Sequence, residues 1–444
     1  MLTKIVETTN GPICGVVEDG CCVFKGVPYA RPPIGELRFH APLRPAYSDE
    51  LFIADTYGNR IAQLPWKSPD GFYEREFYGD TIYKTPISED GLYLNLWISM
   101  QPQEKPMPVL FFIHGGGFLG GTGHEIEFRS SAYAQRGIIL VTINYRVGIF
   151  GFLAHSWLIQ EDPIACGNYG ILDQIAALEW VKENIAAFGG DPAHITICGQ
   201  SAGGVSVLTL LGSRLADGKY AGAIIQSGGG YPQLLTEGKS LEEALSMGQF
   251  AMDAVRITSL DALRQVGIDV LLLAQEAVMR ESQKAGDPLF YCPVINGCVI
   301  TAALNELTRT GRLSNVPVII GSTKNDVTVT EDEALNDNSR LHQSCVDFSL
   351  IRQNHSPSPF YVYYFKRQLP GDSAGAFHSG ELWYTFGTLS QCWRPMRPED
   401  YALSEQMLDY WGNFIKTGDP NNEGLKPWPP CLKNDPYVKT FDVY

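Results

Sequence analysis

The sequence predicts an α/β fold, a mostly parallel central sheet flanked by helices, and three observations carry that expectation. Short apolar runs rich in β-formers alternate with segments of helical period along the chain. Two of these runs lead into glycine-rich turns, and one such turn opens directly onto a helical pattern. Hydrophobic residues make up 44% of the 444 positions and charged residues 19%, which is ample apolar material for a large core.

Taken in order, the N-terminal stretch carries Gly11, Gly15 and Gly20 among β-formers and reads as a small antiparallel hairpin. Core strands are expected at 109–113, 138–144, 195–198, 221–226, 316–320 and 361–365. Helical patterns cover 172–187, 202–211, 241–255 and 404–415, and the last stops at Gly418-Asp419-Pro420. The helix-rich stretch 230–290 falls between two core strands, so it is expected to be an insertion that forms a cap over a pocket. The stretch 332–359 is largely polar, with Asn336-Asp337-Asn338 and Ser356-Pro-Ser-Pro359, and reads as a surface connection. The expectation is one domain over 1–444, with the cap insertion around 230–290.

A balance of 34 Lys and Arg against 49 Asp and Glu gives a net charge of -15, which argues against nucleic acid or an anionic membrane as partner. No apolar run approaches the roughly 20 residues that cross a bilayer. The opening MLTKIVETTNGPICG lacks an apolar core and a small-residue cleavage site, so no signal peptide is expected. The ten cysteines contain no Cys-x-x-Cys pair, which removes the usual zinc and dithiol readings. Free thiols in a reducing cytoplasm are the expectation. The sequence sets no oligomeric state.

The chemistry is concentrated at Ile195-Thr-Ile-Cys-Gly199-Gln200-Ser201-Ala202-Gly203-Gly204, a strand, a Gly-x-Ser-x-Gly turn and a helix start. This is a nucleophile elbow, the turn that presents a serine hydroxyl at the sheet edge in the α/β-hydrolase fold. Gly199 and Gly203 supply missing side chains where the turn is tight, and Ala202 opens a helix whose positive end faces a developing oxyanion. A second strand, Val109–Ile113, runs into His114-Gly115-Gly116-Gly117, a loop able to supply backbone donors opposite the serine. Each well-placed donor stabilises a transition state by about 3–4 kcal/mol. The N–H groups of Gly116, Gly117 and Ala202 are the expected oxyanion hole, and no following lysine supports a phosphate-cradling loop. His114 is expected to be a buried group that shapes this loop and not a base.

Beyond these two motifs the chain resembles the type B carboxylesterases, the family that includes bacterial para-nitrobenzyl esterases and the cholinesterases. The resemblance rests on Phe24-Lys-Gly-Val-Pro-Tyr-Ala-Arg-Pro-Pro-Ile-Gly-Glu-Leu-Arg-Phe39 and on Ser88-Glu-Asp-Gly-Leu-Tyr-Leu-Asn-Leu-Trp97. Asn144-Tyr-Arg-Val-Gly-Ile-Phe-Gly151, Gly167-Asn-Tyr-Gly-Ile-Leu-Asp-Gln174 and Phe188-Gly-Gly-Asp-Pro192 follow in the family's order. Secreted relatives carry a disulfide cysteine where this chain has Gly91, which agrees with an intracellular protein.

The resemblance implies a serine carboxylesterase that needs no metal or organic cofactor. Ser201 would attack an ester carbonyl and form an acyl-enzyme. Three of the eight histidines lie beyond Ser201, and His378, in Ala376-Phe-His-Ser-Gly-Glu381, matches the segment that carries the family's general base. His355 reads as a solvated loop residue. Asp326, after the strand-like Pro317-Val-Ile-Ile-Gly321, aligns with the family's acid, although the family's Asp-Glu-Gly is here Asn325-Asp326-Val327. An aspartate reaches one methylene less, so its backbone is expected to sit closer to His378; Glu331, Asp332 and Glu333 are the fallback acids. Ser227 is a family-derived candidate for the network around the triad, with His114 and Gln200 as further candidates. Trp66, Phe72, Tyr73 and Phe118 are candidates to face the substrate. The interval of 52 residues between Asp326 and His378 is short for the family and implies a trimmed cap with an open entrance. Small to medium, neutral or aromatic esters are the expected substrates. Two alternatives stay open at this level: a serine amidase or peptidase on the same fold, and a non-catalytic recognition protein of the cholinesterase type.

Overall fold

The computed structural model describes residues 1–65, 71–287 and 289–443. Its centre is a sheet of β1 (Val16–Glu18), β2 (Cys21–Pro28), β3 (Tyr93–Ser99), β4 (Met107–Ile113), β5 (Ile139–Ile143), β6 (Gly190–Gln200), β7 (Gly222–Gln226), β8 (Val318–Thr323), β9 (Phe360–Phe365) and β10 (Val438–Phe441). Across the sheet the order is β10-β9-β8-β7-β6-β4-β5-β3-β2-β1. The strands from β5 through β4 and β6 to β10 run parallel, whereas β5–β3, β3–β2 and β2–β1 are antiparallel. Parallel strands covered on both faces should read as continuous apolar runs, and β4, β5, β7 and β8 do.

Helices α1 (Phe72–Glu76), α2 (Tyr169–Asn184), α3 (Ala202–Gly212), α4 (Leu241–Ala254), α5 (Leu260–Gln265), α6 (Ile268–Lys284), α7 (Arg340–Arg352) and α8 (Pro398–Thr417) surround this sheet. Alternate residues of β4 enter two cores: Val109, Phe111 and Ile113 pack with α2 and α3, and Leu110 and Phe112 with Met407, Trp411 and Phe414 of α8. No helix among the described residues is long and apolar enough to cross a membrane.

The expected strands and helices appear within a few residues of their bounds, with α8 beginning earlier, at Pro398. The N-terminal hairpin is present as Val6–Thr8 against Gly11–Cys14, followed by a second, β1–β2. The polar stretch 332–359 is a correction: it holds α7, capped by Ser339 and burying Leu341, Cys345 and Phe348. Small and polar residues mixed into that buried face hide its period from the sequence. The insertion expected at 230–290 contains α4, α5 and α6.

A buried ion pair ties the loop after β5 to α2. Arg146 donates from its backbone N–H and Nε to Asp173 Oδ2 and from Nη2 to Oδ1, at 2.8–2.9 Å. Its Nη1 reaches the His40 carbonyl at 2.8 Å. Removing one partner strands an uncompensated charge in the core. Asp173→Ala is therefore expected to lower the unfolding free energy by about 3–5 kcal/mol, read from urea denaturation.

Candidate active site

The carboxyl ends of β4, β6 and β7 meet at Ser201. The serine has φ 57° and ψ -125°, a conformation costly for any residue with a side chain. Surrounding bonds hold it there: its N–H donates to the Gln226 carbonyl at 2.8 Å, and its carbonyl accepts from Val205 N–H at 3.0 Å. Glycine is required beside it, since a Cβ on Gly203 would lie 2.1 Å from the Ile113 carbonyl oxygen, and one on Gly199 2.2 Å from that of Gly203.

The glycine loop lies against this turn; a Cβ on Gly115 would come within 3.0 Å of Ser201 Cβ. Gly116 and Gly117 take φ of +97° and +61°. His114 is fully buried, stacks on Tyr145 at 4.4 Å and has Nδ1 2.9 Å from the Gly115 carbonyl. Burial lowers its pKa to about 4, so the ring is neutral.

Beyond β8, Asp326 is bonded on every side. Its Oδ1 accepts from His378 Nδ1 at 2.5 Å and Val327 N–H at 2.8 Å; its Oδ2 accepts from Ser227 Oγ at 2.7 Å and Thr323 N–H at 2.9 Å. Burial alone would raise its pKa, but the His378 charge and these hydrogen bonds hold it below the usual value. For His378, burial favours the neutral ring, yet Asp326 outweighs it and leaves the pKa above the ordinary value. With Nδ1–H turned to Asp326, Nε2 carries the lone pair, and the Gln200 amide nitrogen lies 3.2 Å from it. The fallback acids Glu331, Asp332 and Glu333 sit on a separate short helix, Glu331–Leu335. His355 is exposed and contacts the Arg309 carbonyl.

Several residues of the site carry no assignment from the sequence. Asn325 pins the histidine loop to the acid loop: its N–H donates to the Ala376 carbonyl at 2.9 Å and its Oδ1 accepts from Ala376 N–H at 3.0 Å. Glu381 is fully buried, with Oε1 3.4 Å from Tyr363 OH and 3.5 Å from Ser227 Oγ; burial and the Asp326 charge push its carboxyl up to about 7. Its place three residues after His378 is the one available signal.

Ser201, Ala202, Gly116, Gly117 and His378 line one cavity of about 360 Å³. Its apolar wall includes Tyr73, Phe77, Tyr78, Leu234, Leu235 and Leu289, the last three from the ends of the insertion. Tyr73 thus faces the cavity as expected. Phe118 does not, being fully buried against Phe152 at 5.3 Å, and Phe72 packs on Phe377 at 4.9 Å. Trp66 lies outside the described residues.

The glycine loop separates two effects of a methyl group. A Cβ on Gly116 would sit 2.3 Å from the Gly120 carbonyl oxygen, whereas on Gly117 the nearest atom is Leu289 Cδ2 at 3.7 Å. Gly117→Ala is expected to cost only the left-handed backbone penalty, about 1–2 kcal/mol. Gly116→Ala is expected to lower the melting temperature further and to slow phosphonylation of Ser201 by a fluorophosphonate probe.

Residues 2–352 and 340–442 match the model of the carboxylesterase family. The chain is 31% identical over 475 residues to the para-nitrobenzyl esterase of Bacillus subtilis (strain 168), covering 97% of this chain and 93% of that one. It is 30% identical over 486 residues to carboxylesterase 4A of Bos taurus, covering 94% and 86%. A solved PNB esterase structure superposes with a TM-score of 0.84 at 29% identity, covering 99% of this chain and 96% of the other. Two signatures at the N-terminus, a serine elbow on the central strand and an end-to-end match of sequence and backbone converge: the chain belongs to the carboxylesterase family, has the α/β-hydrolase fold and is a carboxylic-ester hydrolase.

Proposed function

We propose that the enzyme hydrolyses small to medium, neutral or aromatic carboxylic esters through an acyl-enzyme on Ser201. The single observation that carries this reading is the 2.5 Å contact of His378 Nδ1 with Asp326 Oδ1 in a cavity shared by His378 and Ser201. His378 Nε2 takes the serine proton as Oγ attacks the ester carbonyl, and Asp326 holds the tautomer and stabilises the imidazolium. The oxyanion accepts hydrogen bonds from the N–H groups of Gly116, Gly117 and Ala202. His378 returns the proton to the departing alcohol, and water repeats the cycle on the acyl-enzyme. Ser227 steadies Asp326, Gln200 borders the imidazole, and buried His114 braces the glycine loop.

An apolar, aromatic-walled cavity of about 360 Å³ supports the substrate class. Leu234, Leu235 and Leu289 support the insertion's part as a cap within one domain. A cytoplasmic location draws support from the ten cysteines, all of them free.

Ser201→Ala is expected to reduce kcat on para-nitrophenyl butyrate by roughly 10⁴-fold or more, with KM little changed; retained turnover would overturn the nucleophile. Asp326→Asn is expected to cost about 10³–10⁴-fold in kcat. The acid limb of kcat/KM gives a second check. Because the base must be neutral and its pKa is raised, wild-type activity should be lost on acidification from a midpoint above 6.5, and Asp326→Asn should move that midpoint down.

A further inference from the structure

A buried carboxylate behind the pocket wall belongs to no step of the hydrolytic cycle. Glu76 closes α1, is 3% exposed and does not line the cavity that holds Ser201 and His378. Its helix carries Phe72, Tyr73 and Glu76, and Phe77 follows directly. Residues four apart share a face, so Phe72 and Glu76 turn one way and Tyr73 and Phe77 another. Tyr73 and Phe77, with Tyr78, form the aromatic wall of the cavity.

The other face of α1 is bonded to the segment that carries the base and to the loop beyond it. Glu76 Oε1 accepts from Trp383 Nε1 at 3.1 Å and from Arg394 Nε at 2.9 Å, and its Oε2 accepts from Trp393 Nε1 at 2.7 Å. Arg394 also donates to the Pro370 carbonyl at 3.0 Å and to Asp372, at 2.7 Å from Nη1 and 3.0 Å from Nη2. Its guanidinium lies over the ring of Phe377, the residue before His378, at 4.9 Å. Phe72 packs edge-on against that same ring at 4.9 Å, and Phe77 stacks on Trp383 at 5.5 Å. Tyr73 OH donates to the His378 carbonyl at 3.4 Å. A carboxylate taken out of water is tolerated only with charged and hydrogen-bonding partners, and these partners fix its place.

We propose that Glu76 is the positioning residue that sets the aromatic wall of the ester pocket, and with it a preference for esters that carry a ring. The proposal rests on the reading of this cavity as the place where Ser201 meets an ester. A helix of five residues does not hold itself, because its costly nucleus is offset by almost no propagation. Glu76 is the buried tie that holds α1; the contact of Arg75 with Asp372 at 2.9 Å is exposed and contributes little. His378 has anchors of its own, Asp326 at its ring and Asn325 on the Ala376 backbone. Cutting the Glu76 contacts therefore loosens the wall relative to the base and leaves the base in place. Stacking on Tyr73, Phe77 and Tyr78 needs a defined plane and distance, whereas a short aliphatic chain asks only for apolar volume.

The test compares three esters by acid release. Ethyl butyrate has no ring, benzyl butyrate carries one in the alcohol, and ethyl phenylacetate carries one in the acyl group. Wild type should favour at least one ring-bearing ester through a lower KM. Glu76→Gln should raise KM for that ester roughly tenfold, while kcat and KM for ethyl butyrate and the acid-limb midpoint of kcat/KM stay as in wild type. Trp393→Phe removes one donor from a ring that is 41% exposed, so it is expected to fold, and it should shift the same KM in the same direction by a smaller factor. If Glu76→Gln fails to fold, Trp393→Phe decides alone. An unchanged ring preference overturns the proposal, and so does a loss shared equally by ethyl butyrate, which marks a structural role alone. A wild type without any ring preference overturns it as well. Turnover of ethyl butyrate by wild type, abolished in Ser201→Ala, shows that the nucleophile reading stands even if Glu76 sets nothing; absence of that turnover refutes both.

Discussion

Where β4, β6 and β7 end, main chain rests directly on main chain, and the whole site depends on that contact. A Cβ at Gly199 or Gly203 would lie 2.1–2.2 Å from a carbonyl oxygen, and one on Gly204 would lie 2.8 Å from the Gly228 Cα. Only this approach lets the sheet clamp Ser201 in its strained turn, with β7 taking its N–H and α3 its carbonyl. Strain of about 1–3 kcal/mol is sustained when the surroundings over-determine it, and here the parallel registers of β6 with β4 and with β7 do so.

On the reading that Asp326 is the triad's acid, where the resemblance to the family implies a glutamate, the surrounding bonds bring its backbone close to His378. An aspartate in place of a glutamate shortens the side chain by one methylene. The neighbouring Asn325 uses both its backbone and its side chain to draw the 376 segment against the end of β8. The carboxylate of Asp326 then reaches Nδ1 at 2.5 Å while still accepting three other hydrogen bonds. A fully bonded carboxylate of this kind is locked in orientation and kept ionised, which is what a group that steadies an imidazolium needs.

Much of this is legible in the residues themselves, for physical reasons that differ by element. Strands such as β4 and β8 announce themselves because burial on both faces demands unbroken apolar runs, and the elbow because its geometry admits so few residue types. Helix α7 is hidden because Ser344 and Ser349 sit on its buried side, bonded back to the carbonyls of Leu341 and Cys345. The short edge strand β10 escapes because four residues carry too little pattern. Glu381 is nearly hidden for another reason, its place after His378 being the one signal. A glutamate reads as a solvated residue until long-range packing buries it, and its electrostatics exist only after that packing.

The order of strands in the sheet has a bearing on how the molecule is made. The donor loop and the elbow come from β4, β6 and α3, close together along the chain, whereas 178 residues separate Gln200 from the imidazole beside it. Contacts of such separation form late, because the chain entropy they remove is not repaid until the partners are both present. The elbow is therefore local in sequence, whereas Asp326 and His378, the acid and base of the proposed mechanism, are brought in by β8 and the 376 segment far along the chain. On the proposed mechanism esterase activity requires the far half of the sheet as well as the elbow, so turnover reports assembly of the whole chain.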